Sequence, residues 1–406
     1  KKAVSEMKIG IYGGTFNPPH LGHLAAIQAA VSYLQLDRLL LIPAAIPPHK
    51  ELPAGTPAPE HRLAMTRRLA DWAGMPQTVQ VSTLELDRGG ASYTADTLGE
   101  ISGKNPDAEL WLLMGTDMFL TLHLWREPER ILKLAKICAF GRTEQDGEAL
   151  FAPQREHLAK TYGAEMVTMT IPGLVDVSST RLRELLARGE GQEYLPPSVY
   201  GYILLHGLYG THADLRHLDV DQLRVCSWAI MNGFKRVPHV KGVEEEIVRL
   251  ARRWGAEENL ARRAAILHDC TKYWNLEQHL ALCRQYQVEL DELELQAVKL
   301  LHSKTGACMA RHVFGETDQV YEAIFWHTTG KADMALLDKL LYMADYIEPN
   351  RTFGGVDEMR RLAYEDLDAA LLMGLEMTAE DMARRGNPLH TNTAQAIAWL
   401  RGRRGV

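Results

Sequence analysis

Gly13-Gly14-Thr15-Phe16-Asn17-Pro18-Pro19-His20-Leu21-Gly22-His23 lies between the apolar run Ile9-Gly10-Ile11-Tyr12 and a stretch of helical period over His23 to Leu36. Glycines let a backbone come close to phosphate, and the helix N-terminus that follows offers unpaired N–H groups and the positive end of a dipole. His20 and His23, three apart at a helix start, can face the same side. Two imidazoles placed there can donate hydrogen bonds to charge building on a transferring phosphoryl group. The string is neither a Walker loop nor GxGxxG. A lone histidine at such a position is more often a cap or a core residue. The string as a whole makes Gly13, Gly14, Thr15, Phe16 and Asn17 a candidate phosphate cradle, with His20 and His23 as the catalytic pair.

Outward from this string, short apolar runs recur at Leu39 to Ile42, Val79 to Val81, Leu110 to Met114 and Ile137 to Phe140, each followed by a turn and a helical candidate. That rhythm predicts a parallel α/β sheet, which binds ligands beyond the C-terminal ends of its strands. After about Asp219 it gives way to long helical segments, among them Val243 to Trp254, Leu260 to His268, Leu336 to Ile347 and Met359 to Met382. The expected fold class is α/β plus all-α. A chain of 406 residues is too long for one core, since single cores stop growing at roughly 250 to 300 residues. The expected domains are 1–208 and 219–406, joined by a turn-rich linker at 209–218.

Near the end of the first half, Val177-Ser178-Ser179-Thr180-Arg181-Leu182-Arg183 reads as a capped helix start with a basic fork, suited to phosphate. The HxGH and SSTxxR strings together resemble the nucleotidyltransferase superfamily, whose members attack the α-phosphate of a nucleoside triphosphate and carry a Rossmann-like domain. The likeness narrows to bacterial nicotinate-nucleotide adenylyltransferases through Pro47-Pro48-His49-Lys50, Ser92-Tyr93-Thr94-Ala95-Asp96-Thr97-Leu98 and Gly115-Thr116-Asp117-Met118-Phe119, with Trp125 following. The resemblance implies that His20 and His23 bind the phosphates of ATP and that Ser178, Ser179, Thr180 and Arg181 serve the adenylyl side. It further implies that Lys50 meets phosphate and that Thr94, Asp117 and Trp125 line a nicotinate mononucleotide pocket. Lysine suits phosphate as a point charge, and an indole can stack on a pyridine ring. A role for Asp117 as no more than a cap on the next helix is the lesser alternative. Mg2+ is expected to accompany ATP.

In the second half the deciding string is Ala264-Ala265-Ile266-Leu267-His268-Asp269-Cys270-Thr271-Lys272. Adjacent residues on a helix point about 100° apart, so His268 and Asp269 can share a metal only at a helix end. His239 upstream and Asp345 downstream complete the order H…HD…D, with His302 and His327 between. Imidazoles and carboxylates suit Fe, Mn, Co or Zn, and these six side chains are enough for two ions bridged by Asp269. Lys272 and Arg351 are candidates for gripping phosphate. The motifs resemble the YqeK family of HD proteins, symmetrical hydrolases of diadenosine tetraphosphate, through HDxxK, HSxxG, FWHTTG and ADYIEPNR. That likeness implies hydrolysis of a phosphoanhydride to two ADP, with Fe the leading metal and Asp269 and Lys272 catalytic. The competing reading is a non-catalytic, metal-bound module that senses nucleotides.

A formal charge of −7 supplies no polycationic face for duplex nucleic acid, so small anions such as ATP, nicotinate mononucleotide and diadenosine tetraphosphate are the expected partners. Five scattered cysteines without a CxxC pair suggest neither disulfides nor a zinc knuckle. No apolar run of about 18 residues is present. A cytoplasmic, membrane-free enzyme is expected; a homo-oligomer is left open, as is Met7 as the natural start.

Overall fold

A computed structural model describes residues 6–48, 51–141, 147–171 and 177–406. The chain divides into two compact units, Lys1–His212 and Ala213–Val406.

The first unit runs β1 (Lys8–Gly14), α1 (Leu21–Leu34), β2 (Arg38–Pro43), α2 (Pro59–Trp72), β3 (Val79–Val81), α3 (Leu84–Arg88) and α4 (Thr94–Lys104). It continues with β4 (Glu109–Gly115), α5 (Thr116–Thr121), α6 (Pro128–Leu134), β5 (Lys136–Gly141), α7 (Glu148–Tyr162), β6 (Met166–Thr170), α8 (Ser179–Ala187) and α9 (Pro197–His206). All strand pairs are parallel, in the order β3-β2-β1-β4-β5-β6. This doubly wound order reverses between β1 and β4, so a crevice opens beyond their C-terminal ends, where the glycine-rich string leaves β1.

Alternation along each strand sorts the core into two layers. Ile9, Ile11, Leu110, Leu112 and Ile137 pack with Leu98, Phe119 and Phe151. Tyr12, Leu39, Leu41, Leu113 and Phe140 pack with Ile27, Ala30 and Leu69. The strand Met166–Thr170 was not anticipated from sequence; its residues are only half-buried or exposed, as befits a sheet edge where no long apolar run is required.

The second unit is helical: α10 (Val220–Met231), α11 (Val237–Trp254), α12 (Glu258–Leu267), α13 (Leu276–Gln285), α14 (Glu292–Gln296), α15 (Leu301–Cys308) and α16 (Asp318–Phe325). Then follow α17 (Leu336–Ile347), α18 (Val356–Glu365), α19 (Leu367–Arg384) and α20 (Thr391–Arg404). The helical segment expected over Met359 to Met382 is broken at Asp366, whose extended backbone lets its carboxylate accept from the Ala369 N–H and start a new helix. Helix α12 stops at Leu267, so Asp269 and Lys272 stand on the turn that follows rather than on a further helical turn. Among the described residues no helix is long and apolar enough to cross a membrane.

Candidate active sites

In the first unit, His20 is the N-cap of α1. Its Nδ1 accepts the Gly22 N–H at 3.0 Å, and the Nδ1 of His23 accepts the His20 N–H at 3.0 Å. Two histidines thus form the reciprocal cap that Ser and Glu usually provide. A nitrogen that accepts is the unprotonated one, which assigns the hydrogen of both neutral rings to Nε2. Capping and phosphate binding are therefore compatible here: Nδ1 closes the helix and Nε2–H is a donor. The rings lie 3.8 Å apart, His20 being buried and His23 resting against Phe16 at 5.2 Å.

Phe16 adopts a left-handed φ of 47°, and the Asn17-Pro18 bond is cis. Asn17, 2% exposed, is pinned on three sides. Its Nδ2 donates to Thr56 Oγ1 (3.0 Å), its Oδ1 accepts from Tyr209 Oη (2.7 Å), and its carbonyl accepts from Arg183 Nη1 (2.8 Å). Arg183 thereby ties α8 to the glycine-rich loop. Ser178 caps α8 by accepting the Arg181 N–H, and Arg183 Nη2 donates to Thr180 Oγ1 at 3.2 Å. Arg181 instead pairs with Glu184 and is exposed; Ser179 opens the helix. Arg62, fully buried, donates to the carbonyls of Thr15, Ala44 and Ala45 and so braces the loop from beneath.

Thr94 opens α4, while Asp117 lies exposed in the first turn of α5 without making a side-chain cap. Trp125 Nε1 donates to Thr121 Oγ1 (3.4 Å), which is also within donating distance of the Asp117 carbonyl (3.2 Å). The Arg126 guanidinium lies 4.3 Å from the Tyr93 ring centre, bringing the segments that carry Thr94 and Trp125 together. Lys50 lies outside the described residues.

In the second unit, the six expected ligands converge around Asp269, which is 1% exposed. Asp269 Oδ2 lies 3.3 Å from His268 Nε2 and 3.6 Å from His239 Nε2; its Oδ1 lies 3.1 Å from His302 Nε2 and 3.8 Å from His327 Nε2. Asp345 Oδ1 approaches His239 Nε2 at 3.0 Å and His268 Nε2 at 3.9 Å. One carboxylate thus faces two groups of nitrogens, one on each oxygen.

The tautomers here run opposite to those of His20 and His23. The Nδ1 atoms of His268, His302 and His327 sit 2.6, 2.7 and 2.6 Å from the carbonyls of Ala265, Lys299 and Ile324. His239 Nδ1 sits 3.2 Å from Glu348 Oε1. Each partner only accepts, so Nδ1 carries a hydrogen; in the neutral ring Nε2 then presents a lone pair inward, the arrangement of metal-ligating histidines, and a second proton there pairs the ring with the aspartates. Burial depresses His302 to about 4, keeping it neutral. Burial also works against His268, but the Asp269 and Asp345 carboxylates raise it above the ordinary imidazole value. Burial alone would raise Asp269, yet the surrounding imidazoles hold it well below the usual carboxylate range; Asp345 is lowered by His239 and His268 in the same way. These donors fit divalent metal ions, and the buried Asp269 Oδ1 and His268 Nε2 satisfy no hydrogen bond of their own.

Three cations rim this centre. Arg236 donates to Asp269 Oδ2 through Nε (2.8 Å) and reaches the same atom with Nη2 (2.7 Å), and Arg351 Nη2 reaches Asp345 Oδ1 at 3.1 Å. The half-buried Lys272 ammonium is depressed by burial and by Arg236 and Arg351, against the pull of both aspartates.

Arg236 and Glu348 were not singled out in the sequence, although Glu348 stands in the motif ADYIEPNR. Glu348 is buried, with Asn350 holding its other oxygen. A Cβ on Gly242 would collide with Glu348 Oε2. Gly242→Ala is therefore expected to push Glu348 off His239 and weaken metal binding by about 10- to 100-fold, as loss of an outer partner does; titration of the metal-depleted chain with Mn2+ checks it.

A further acidic cluster, Asp291, Glu294 and His390, has donor atoms close enough for an ion. Its histidine is in the wrong form: His390 Nδ1 accepts the Asn392 N–H, leaving Nε2–H aimed at Asp291 at 3.0 Å. It is a polar contact between the start of α20 and α14.

Residues 11–185 match the Cytidylyltransferase-like family and residues 236–350 the HD domain. A protein of Halalkalibacterium halodurans, named "Probable nicotinate-nucleotide adenylyltransferase", is 36% identical over 216 residues, 53% of this chain and 97% of its own. A namesake from Roseiflexus sp. is 40% identical over 207 residues, 51% of this chain and all of its own. A solved structure from Clostridium acetobutylicum, described as a predicted HD superfamily hydrolase involved in NAD metabolism, is 38% identical. It covers 46% of this chain and 98% of that one, with a TM-score of 0.44.

Proposed function

Since the first half of this chain belongs to the nicotinate-nucleotide adenylyltransferase family, we propose that it transfers the adenylyl group of ATP to nicotinate mononucleotide, giving deamido-NAD and pyrophosphate. The observation that carries this reading is the reciprocal histidine cap at the sheet's switch point, which presents Nε2–H donors beside a helix N-terminus. ATP arrives as its Mg2+ complex; His20 and His23 stabilise charge on the phosphates while the Gly13–Asn17 backbone cradles them. Arg183, through Asn17, keeps α8 and the loop in register, with Ser179, Thr180 and Arg181 at the adenylyl side. Thr94, Asp117 and Trp125 line the acceptor pocket, and Lys50 meets phosphate.

For the helical HD domain we propose symmetrical hydrolysis of diadenosine tetraphosphate to two ADP. The supporting observation is the Asp269 carboxylate standing between four inward-facing Nε2 atoms. His239, His268 and Asp345 would hold one ion, His302 and His327 the other, with Asp269 shared; Fe is favoured, with Mn, Co or Zn as alternatives. Bound there, the pair would supply Lewis acidity toward water and phosphoanhydride. Lys272, Arg351 and Arg236 would orient the polyphosphate. Cytoplasmic residence belongs to the same reading: all five cysteines are free and buried, as suits a reducing compartment.

The test is product identification from the purified chain. ATP with nicotinate mononucleotide should give deamido-NAD and pyrophosphate, and diadenosine tetraphosphate with Fe2+ or Mn2+ should give ADP alone. AMP with ATP as products would refute symmetrical cleavage, and nucleotide binding without turnover would favour a sensor.

A further inference from the structure

Beside the second site stands an aromatic ring that the phosphate chemistry does not use. Tyr273 follows Lys272 on the turn after α12 and is 55% exposed, against the strong tendency of large rings to be covered. It is not loose: the ring lies so closely against Gly233 that a Cβ there would collide with its Cε2 and Cδ2 atoms. Gly233 has an extended φ of −139°, so its lack of a side chain answers the close approach of the ring rather than the conformation of the backbone. Three residues further on, Arg236 holds Asp269 Oδ2, so the segment that backs the ring also carries a cation of the site. An aromatic surface, supported from behind by bare backbone, therefore stands next to Lys272 on the turn that borders the cations Arg236 and Arg351.

On the reading of this site as a nucleotide phosphohydrolase, we propose that Tyr273, seated on Gly233, is the platform on which the nucleobase of the substrate stacks while the three cations take its phosphates. A purine offers a flat π-face, and stacking on an aromatic side chain suits any base. A polyphosphate without bases would gain nothing from the ring. Selection of nucleoside polyphosphates over inorganic ones would then rest on Tyr273, while Asp269 and its histidines remain indifferent to the base.

The experiment uses the full, metal-loaded chain, with ADP and inorganic pyrophosphate as inhibitors of diadenosine tetraphosphate hydrolysis. The wild type should be inhibited by ADP more strongly than by pyrophosphate, by about 10-fold. Tyr273→Ala should remove that preference and leave metal content unchanged; Tyr273→Phe should keep it. Gly233→Ala, which displaces the ring without deleting it, should weaken ADP and spare pyrophosphate. As a readout independent of turnover, Tyr273→Trp should show indole quenching by ADP, over and above the wild-type response, and none by pyrophosphate. Retention of the full ADP preference in Tyr273→Ala would overturn the platform while leaving the hydrolase intact. A wild type that hydrolyses no dinucleotide with any of the four metals would overturn the reading of the site and this inference with it.

Discussion

Asp269→Ala is expected to abolish metal retention and hydrolysis together while adenylyl transfer continues unchanged. The carboxylate is the one group to which all four imidazoles are turned, at 3.1 to 3.8 Å, and, though buried, it is held ionised by His268, His302 and His327. Without it, the inward lone pairs face one another with no anion to offset the charge of a cation. The loss in hydrolysis should exceed about 100-fold, the upper end of what removal of an outer partner costs. Metal analysis of the purified variant, beside both activities, reads the result. Asp269→Asn, which keeps the shape and removes the charge, separates electrostatics from packing. Retention of two equivalents of metal by either variant would sink the bridging role.

His23→Ala should cut adenylyl transfer by about 10²- to 10³-fold, the usual effect of losing one donor aimed at developing phosphoryl charge. Loss of half of the α1 cap adds about 1 kcal/mol of instability, which a melting curve would register as a small shift. The decisive comparison is therefore with His23→Gln, whose side-chain oxygen can accept the His20 N–H. If the cap were the whole role, Gln would restore the rate. The expected outcome is recovered stability without recovered turnover, with metal content and hydrolysis unaffected. Parallel loss of hydrolysis in His23→Ala would contradict separate sites.

The residues that act through regular periodicity or tight motifs were legible in the sequence. The five anticipated strands, the glycine-rich loop, and the H…HD…D order all follow from local pattern, and the sheet order completes what the strands imply. What escaped were side chains whose partners are remote. Arg62 reaches Thr15 across 47 positions, and Arg183 reaches Asn17 across 166; neither spacing leaves a periodic trace. In the basic fork the role was given to Arg181, which pairs with Glu184, while Arg183, given none, is the one that reaches the loop. Glu348 stood in the motif ADYIEPNR, yet its contact with His239 depends on the missing side chain at Gly242, a packing fact no single string reveals. The edge strand Met166–Thr170 lacks the apolar run that marks its buried neighbours.

Tyr209 carries a consequence for anyone wishing to study each half alone. The turn-rich segment read as a linker begins with this residue, but its hydroxyl reaches back across 192 positions to Asn17 in the glycine-rich loop, and Thr211 bonds to the Ile203 carbonyl. Severing the polypeptide after Leu208 would discard that clasp, and a transferase crippled in this way would be mistaken for one that needs its helical neighbour. A scission after His212 spares it.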